Sequence, residues 1–321
     1  MVALLRTSQR PWVEYAELVE ERGSATAVLE DELARGAAPT GQSALFSDLP
    51  DPGAAIDGTG AGAIANRTRP GANAASSTIR DPAEVLHQAT ADLERWSAAG
   101  MRLVTVLEPD YPPNLRAVHD RPPMVFVAGR LTQADAHGVA VVGARKATHA
   151  GTQKAGEIAE HLVGRGVTVV SGLAAGIDTA AHTAALARGG RTVAVIGTGL
   201  ERSYPPQNEA LQRRIASECA VVSQFWPDAP PSRRSFPMRN AVMSGITLAT
   251  VVVEASDTSG ARMQARLARA QGRPVFLLAS LIERQQWARD YAARPGTHVV
   301  RSPDEITTVV ERLTSPGSLV A

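Results

Sequence analysis

Six short, β-branched apolar runs, each followed by small residues and then by a stretch of helical periodicity, constrain this chain more than any other feature. They are Val139 to Val142, Val167 to Val170, Thr192 to Ile196, Ala220 to Ser223, Thr250 to Val253 and Pro274 to Leu278. Near-continuous apolar runs suit strands covered on both faces, and separations of roughly 25 to 30 residues suit right-handed βαβ crossovers. The pattern predicts an α/β fold with a Rossmann-like, doubly wound, mostly parallel sheet.

Outside these runs the chain divides by composition. Residues 12–34 carry apolar side chains at helical spacing, broken at Gly23 and restarted after Ser24, which is an N-cap residue type. They predict two short helices in a small helical module spanning 1–34. From 35 to 82 the chain turns to Gly, Ala, Ser, Thr, Asp and Pro, with too few large apolar side chains to offset ordering entropy. This stretch reads as a flexible linker or insertion. Helical periodicity returns at 83–99, and an extended stretch from Arg102 to Leu107 leads to Asp110-Tyr111-Pro112-Pro113, where the prolines end regular structure. The main domain is expected over 83–314, with a short tail over 315–321.

The 321 residues are 44% hydrophobic, enough for one sizeable core, and 33 basic against 32 acidic residues leave a net charge of +1. Any polyanion must therefore be met by a local patch rather than a global field. Cys219 is the single cysteine, which excludes an internal disulfide and a cysteine-cluster zinc site and fits a reducing cytoplasm. The apolar stretch Val2 to Leu5 is too short for a signal-peptide core, and no run is long enough to cross a bilayer.

In sheets of this kind ligands bind beyond the carboxyl ends of the strands. After the first run comes Gly143-Ala144-Arg145-Lys146-Ala147-Thr148, with Gly151 opening toward a helix. Glycine admits close backbone approach, free N–H groups at the helix start are expected to donate to an anion, and Arg145 offers a fork-shaped cation. The spacing is not G-x-G-x-x-G, so no nicotinamide cofactor is indicated. After the second run, Ser171-Gly172-Leu173-Ala174-Ala175-Gly176-Ile177-Asp178 reads as a pocket-forming loop with Asp178 as helix N-cap. His182, one turn further on, fits a hydrogen-bonded structural histidine better than a catalytic one, since no nucleophile lies nearby in sequence. The third end is Gly197-Thr198-Gly199, continuing through Tyr204-Pro205-Pro206-Gln207-Asn208; the fourth is Glu254 to Gly260, leading into a helix near Ala261. In the fourth, Ser259-Gly260 serves a helix cap and an anion contact equally well.

Two windows lack acidic residues: between Asp135 and Glu157, holding Arg145, Lys146 and Lys154, and between Asp228 and Glu254, holding Arg233, Arg234 and Arg239. Both adjoin strand carboxyl ends, so they are expected to line one basic groove that grips phosphates without reading sequence. Phe236, among the second set, either stacks a base or fills the core.

Six ordered strings resemble the DprA/Smf family. They are Val-Val-Gly-Ala-Arg-Lys-Ala, Ser-Gly-Leu-Ala-Ala-Gly-Ile-Asp-Thr-Ala-Ala-His, Gly-Thr-Gly-Leu, Tyr-Pro-Pro-Gln-Asn, Phe-Pro-Met-Arg-Asn and Ser-Gly-Ala-Arg-Met-Gln-Ala. Asp110 to Leu115 and Pro122 to Gly129 look like that family's lead-in. The resemblance implies a homodimer that binds single-stranded DNA and assists RecA loading in transformation or recombination, without a catalytic residue, metal or cofactor. It further implies that Gly143 and Arg145 hold a phosphate, that Ser171, Gly172 and Gly176 floor the pocket, and that Asn208, Arg239 and Asn240 form the opposite wall. Together with Lys146, Gly197, Gly199, Arg233, Arg234 and Phe236 these are the expected nucleic-acid-binding residues.

The chain departs from the family pattern in several places. Pro206 stands where some members have lysine, the 35–82 stretch looks inserted, and Ala279 to Arg284 replace a Pro-Gly turn, with no winged-helix-sized domain after it. These departures keep a rival reading open, a SLOG-like sensor of a nucleotide-derived ligand or a defence-associated relative. A phosphoribohydrolase of the same fold would resemble a Pro-Gly-Gly-x-Gly-Thr loop, which this sequence lacks.

Overall fold

A computed structural model describes residues 1–7, 10–34 and 82–314. The linker or insertion read over 35–82, save for Pro82, and the tail over 315–321 lie outside the described residues. The chain opens with three helices, α1 (Val2–Thr7), α2 (Trp12–Arg22) and α3 (Ala25–Ala34). The break between α2 and α3 falls at Gly23, whose φ of 63° closes α2 in the left-handed region, and the Ser24 hydroxyl accepts the backbone N–H of Ala27. Helix α1 was not foreseen, because four apolar residues carry no period.

Helix α4 (Pro82–Ala98) leads into β1 (Met101–Thr105), α5 (Pro113–Arg116) and β2 (Met124–Gly129). Then come β3 (Val139–Val142), α6 (His149–Gly164), β4 (Val169–Ser171), α7 (Ile177–Ala187), β5 (Thr192–Val195), α8 (Glu209–Glu218) and β6 (Ala220–Ser223). The chain closes with α9 (Ser235–Ile246), β7 (Ala249–Val252), α10 (Gly260–Ala270), β8 (Val275–Leu278), α11 (Ala279–Arg284), α12 (Gln286–Ala292), β9 (Thr297–Val300) and α13 (Pro303–Thr314). All six apolar runs became strands, to within two residues at each end. Every residue of β3, β5, β6, β7 and β8 is buried, the state that selects continuous apolar runs.

The nine strands form one sheet in the order β1-β2-β6-β5-β4-β3-β7-β8-β9. From β6 to β9 every neighbour is parallel, whereas β1 and β2 are antiparallel to each other and β2 to β6. The chain builds outward from β3 through β4, β5 and β6, then returns to the other side of β3 with β7. The strand order therefore reverses between β3 and β7, and the crevice above that switch point is where this topology places ligands.

The N-terminal helices are continuous with the main core. Trp226, just after β6, meets Trp12 of α2 at 5.5 Å and Trp96 of α4 at 5.9 Å, and Trp96 packs edge-on to Phe126 of β2 at 5.0 Å. Among the described residues, no helix is long and apolar enough to cross a membrane and no cluster of side chains could hold a metal ion.

Candidate nucleic-acid interface

A cleft of about 490 Å³ opens over the carboxyl ends of β3 and β7. Its walls come from the Gly143 to Lys146 turn, the start of α9, and the loop from Ser256 into α10. A smaller cavity of about 120 Å³ lies beside it over β4 and β5, lined by Gly172, Ala174, Gly197 and Tyr204 among others. Arg145, Phe236, Arg239 and Ala174 line both.

Helix periodicity explains what α9 contributes. Phe236, Arg239, Asn240 and Met243 stand three, four and seven residues apart, hence on one face, and all four line the larger cleft. Pro237 is accommodated because it sits in the first turn, where no intrahelical N–H bond is needed. Ser232 and Ser235 pin the turn before it, each accepting the other's backbone N–H, at 3.1 and 3.0 Å. Arg233 and Arg234 precede that face; both are exposed and neither lines either of these two cavities.

Arg145 and Lys146 have no hydrogen-bond or ion-pair partner among the described residues, so two cations at the rim stand free. The Arg145 guanidinium instead lies over the Phe236 ring, 4.9 Å from its centroid. Phe236 is half-buried, packs on Gly197 and meets Tyr204 at 5.5 Å, so it serves as cavity wall and partial filler together.

Arg239 is buried. Its Nη1 donates to the carbonyls of Gly172 and Val195, and its Nε donates to Asn240 Oδ1 at 2.9 Å. Burial lowers its pKa to about 10, with Asp178 opposing the shift, so it stays charged at neutral pH. Asn240 Nδ2 in turn donates to the Gly260 carbonyl at 3.3 Å. Arg239 thus fastens the ends of β4 and β5 to α9 while still facing both cavities.

The loop after β4 corrects one expectation. Helix α7 begins at Ile177, with Gly176 as its N-cap residue, and the Asp178 carboxylate reaches back to accept the backbone N–H groups of Gly172 and Ala174 at 3.1 and 3.3 Å. Burial raises the Asp178 pKa, against the pull of Arg239 and those two N–H groups. Gly176 has φ of 81°, and a Cβ there would meet the Ala144 carbonyl, so it locks the two strand-end loops together. His182 is wholly buried, with Nδ1 and Thr192 Oγ1 2.7 Å apart, and burial lowers its pKa to about 3. It stands with the core.

The helix start after β3 corrects a second. The N-terminus of α6 is closed by the protein's own groups: Thr148 Oγ1 accepts the Gly151 N–H, and the Glu254 carboxylate accepts the Thr148 N–H at 2.9 Å and its hydroxyl at 2.5 Å. An anion is already installed where a phosphate was expected. The helix start that lines the cleft is that of α10, itself capped by Ser259 at Ala261, where Ser256 and Thr258 add hydroxyls.

The remaining expected residues separate cleanly. Gly143, Arg145, Lys146, Phe236, Arg239 and Asn240 line the larger cleft, and Gly172 and Gly197 the smaller. Ser171 is buried behind them, its hydroxyl donating to the Val141 carbonyl at 2.6 Å. Asn208 spends its amide on the Leu173 carbonyl and the Thr179 hydroxyl, both at 2.8 Å, and so braces the Leu173 loop from behind. Gly199 packs on the carbonyls of Trp226 and Pro227. Lys154 pairs with Glu157 on α6. Ser256, Thr258 and Gln264 also line the cleft but were not among the expected site residues. Gln264 could have been noticed as the polar residue on the face that otherwise carries Ala261, Ala265 and Ala268.

The sequence model of the DNA recombination-mediator protein A family matches residues 102–311. Protein Smf of Synechocystis is 40% identical over 58% of this chain and 48% of its own length. DNA processing protein DprA of Streptococcus pneumoniae is 35% identical over 64% of this chain and 73% of its own. Protein Smf of Escherichia coli is 39% identical over 61% and 53%. The chain thus spans about half the length of the two Smf relatives. Among solved structures, DNA processing protein A from Streptococcus pneumoniae superposes with a TM-score of 0.60 at 32% identity, covering 72% of this chain and 83% of that one. The Helicobacter pylori protein, described for its single-stranded DNA binding mode, gives 0.59 at 22% identity, covering 66% and 96%.

Proposed function

The chain belongs to the DNA recombination-mediator protein A family, and on that premise we propose that it binds single-stranded DNA in the cleft at the β3/β7 switch point. In this reading it acts as a recombination mediator that protects the strand and assists RecA loading, as a homodimer and with no chemical step of its own. The observation that carries it is the free cation pair Arg145 and Lys146, set beside the Phe236 ring at the mouth of a cleft in a nearly neutral protein. Cations without internal partners release counterions when they meet phosphates, and an adjacent aromatic face stacks any base. The opening lies where this fold binds its ligands, and the hydroxyls of Ser256 and Thr258 at the α10 start add neutral donors to phosphate oxygens.

The test is an anisotropy titration against oligothymidine at several salt concentrations. Binding that weakens as salt rises supports the reading; no salt-sensitive binding rejects it. Mass spectrometry of ligand released from the purified protein addresses the sensor alternative, which a stoichiometric nucleotide would favour.

A further inference from the structure

Helix α10 buries one face against the fold, through Ala261, Gln264, Ala265 and Ala268. Three of these are alanine. The fourth, Gln264, is 1% exposed, and neither its Nε2 nor its Oε1 has a hydrogen-bond partner among the described residues. A carboxamide carries two donor hydrogens and an acceptor oxygen, and native proteins rarely leave such a group unpaired in the interior. This carboxamide, unpaired at both its nitrogen and its oxygen, belongs to a residue on the wall of the large cleft. Asn240, the other amide there, is already engaged on both sides, accepting from Arg239 and donating to Gly260.

We propose that Gln264 is a base-reading residue, whose carboxamide pairs with the edge of one nucleobase of the bound strand seated at the inner wall of the cleft. The inference rests on the reading that this cleft binds single-stranded DNA. Phosphate does not suit the position: its oxygens only accept, so Oε1 would remain unpaired. A nucleobase edge sets donors and acceptors side by side, the complement of a carboxamide. The terminal torsion of glutamine is broad, so the group turns to present either order of donor and acceptor. That makes it tolerant among bases and intolerant of a missing one. At about 490 Å³ the cleft holds far more than a single water, whose share of liquid volume is about 30 Å³. The arrangement divides labour, with Arg145 and Lys146 at the rim for phosphate and Gln264 inside for the base.

The test compares oligothymidine with an abasic strand of equal length, by anisotropy, using the full chain and its Gln264→Met variant. Wild type should bind oligothymidine more tightly than the abasic strand. The variant should lose about tenfold on oligothymidine and almost nothing on the abasic strand. Its melting temperature should hold or rise, because an unpaired buried amide has been removed. If melting shows that Gln264→Met does not fold, Gln264→Leu carries the comparison. Equal losses on both strands, or no loss on either, overturn the proposal; the second result would leave water as the only partner of Gln264. If wild type binds neither strand, the DNA reading of the cleft itself falls and takes this inference with it.

Discussion

The guanidinium of Arg145 covers one face of the Phe236 ring at the point where the two cavities meet. A base that stacks on that face must displace Arg145, and a phosphate that draws Arg145 away uncovers the ring. The two residues therefore act as a unit. In a double-mutant cycle of Arg145→Ala and Phe236→Ala on oligothymidine binding, we expect a coupling of about 0.5–3 kcal/mol. Strictly additive losses would show that ring and cation work independently.

Arg145 should also set the salt dependence. Each phosphate contact to a single strand contributes about 0.7 to the slope of log affinity against log salt, so Arg145→Ala should flatten that slope by about that amount. Arg22→Ala removes a cation already paired with Asp31 on the N-terminal helices and should leave affinity and slope unchanged. The two slopes from parallel titrations decide it.

Gly172→Ala should be costly for a reason outside glycine's backbone freedom. The added methyl would meet the Arg239 guanidinium, which cannot move without giving up the Gly172 and Val195 carbonyls. We expect a loss of about 1–3 kcal/mol in denaturant unfolding, together with weakened DNA binding. Gly164→Ala, where a Cβ meets nothing within 4 Å, should instead gain about 0.5–1 kcal/mol.

Glu254→Ala should destabilise the fold by about 0.5–2 kcal/mol, the worth of a helix N-cap, because the Thr148 N–H and hydroxyl lose their acceptor. Chemical denaturation reads this directly. An unchanged unfolding midpoint would mean that water replaces the carboxylate at no cost.

Acid should weaken the fold partly through His182. Burial lowers its pKa from 6.5 to about 3, so as pH falls the unfolded chain takes up the proton first. Its stabilising contribution is complete above about pH 6.5 and is lost as pH falls toward 3, at up to about 1.4 kcal/mol per pH unit. Asp178 works in the opposite sense, since burial raises its pKa above 3.8 and its neutral form favours the fold. Comparing wild type with His182→Gln in denaturant unfolding from pH 7 to 4 isolates the histidine: the variant should show the shallower loss.

Much of the sheet was legible because a strand buried on both faces writes itself as an unbroken β-branched run. Strands β3 to β8 were read this way. Strand β9 was not, since only Val300 of its four residues is fully buried and His298 interrupts the apolar run. In the cleft, Arg145, Lys146, Phe236 and Arg239 were legible from two acid-free windows abutting strand ends. Asn208 and Ser171 read as pocket residues, yet the Asn208 Nδ2 donates to the Leu173 carbonyl and the Ser171 hydroxyl to the Val141 carbonyl. Gln264 shows in the sequence as a polar residue on a helix face that otherwise carries alanines, a signal that says nothing of whether its amide is paired.

By itself the sequence determined strands β3 to β8 and the turns after them: unbroken β-branched apolar runs pick out the strands, and small residues pick out the loops beyond them. The resemblance that marks the family is written in those same loops. What only the tertiary structure decided is which polar groups are spent and which are free. Arg145 and Arg239 are alike in sequence, but one lies open over Phe236 and the other is bound to carbonyls on two strands. The α6 start awaits no phosphate, because Glu254, 106 residues further on, already fills it. A hydrogen-bonding group's availability depends on what the fold brings against it, and that is settled only when β7 returns to the far side of β3.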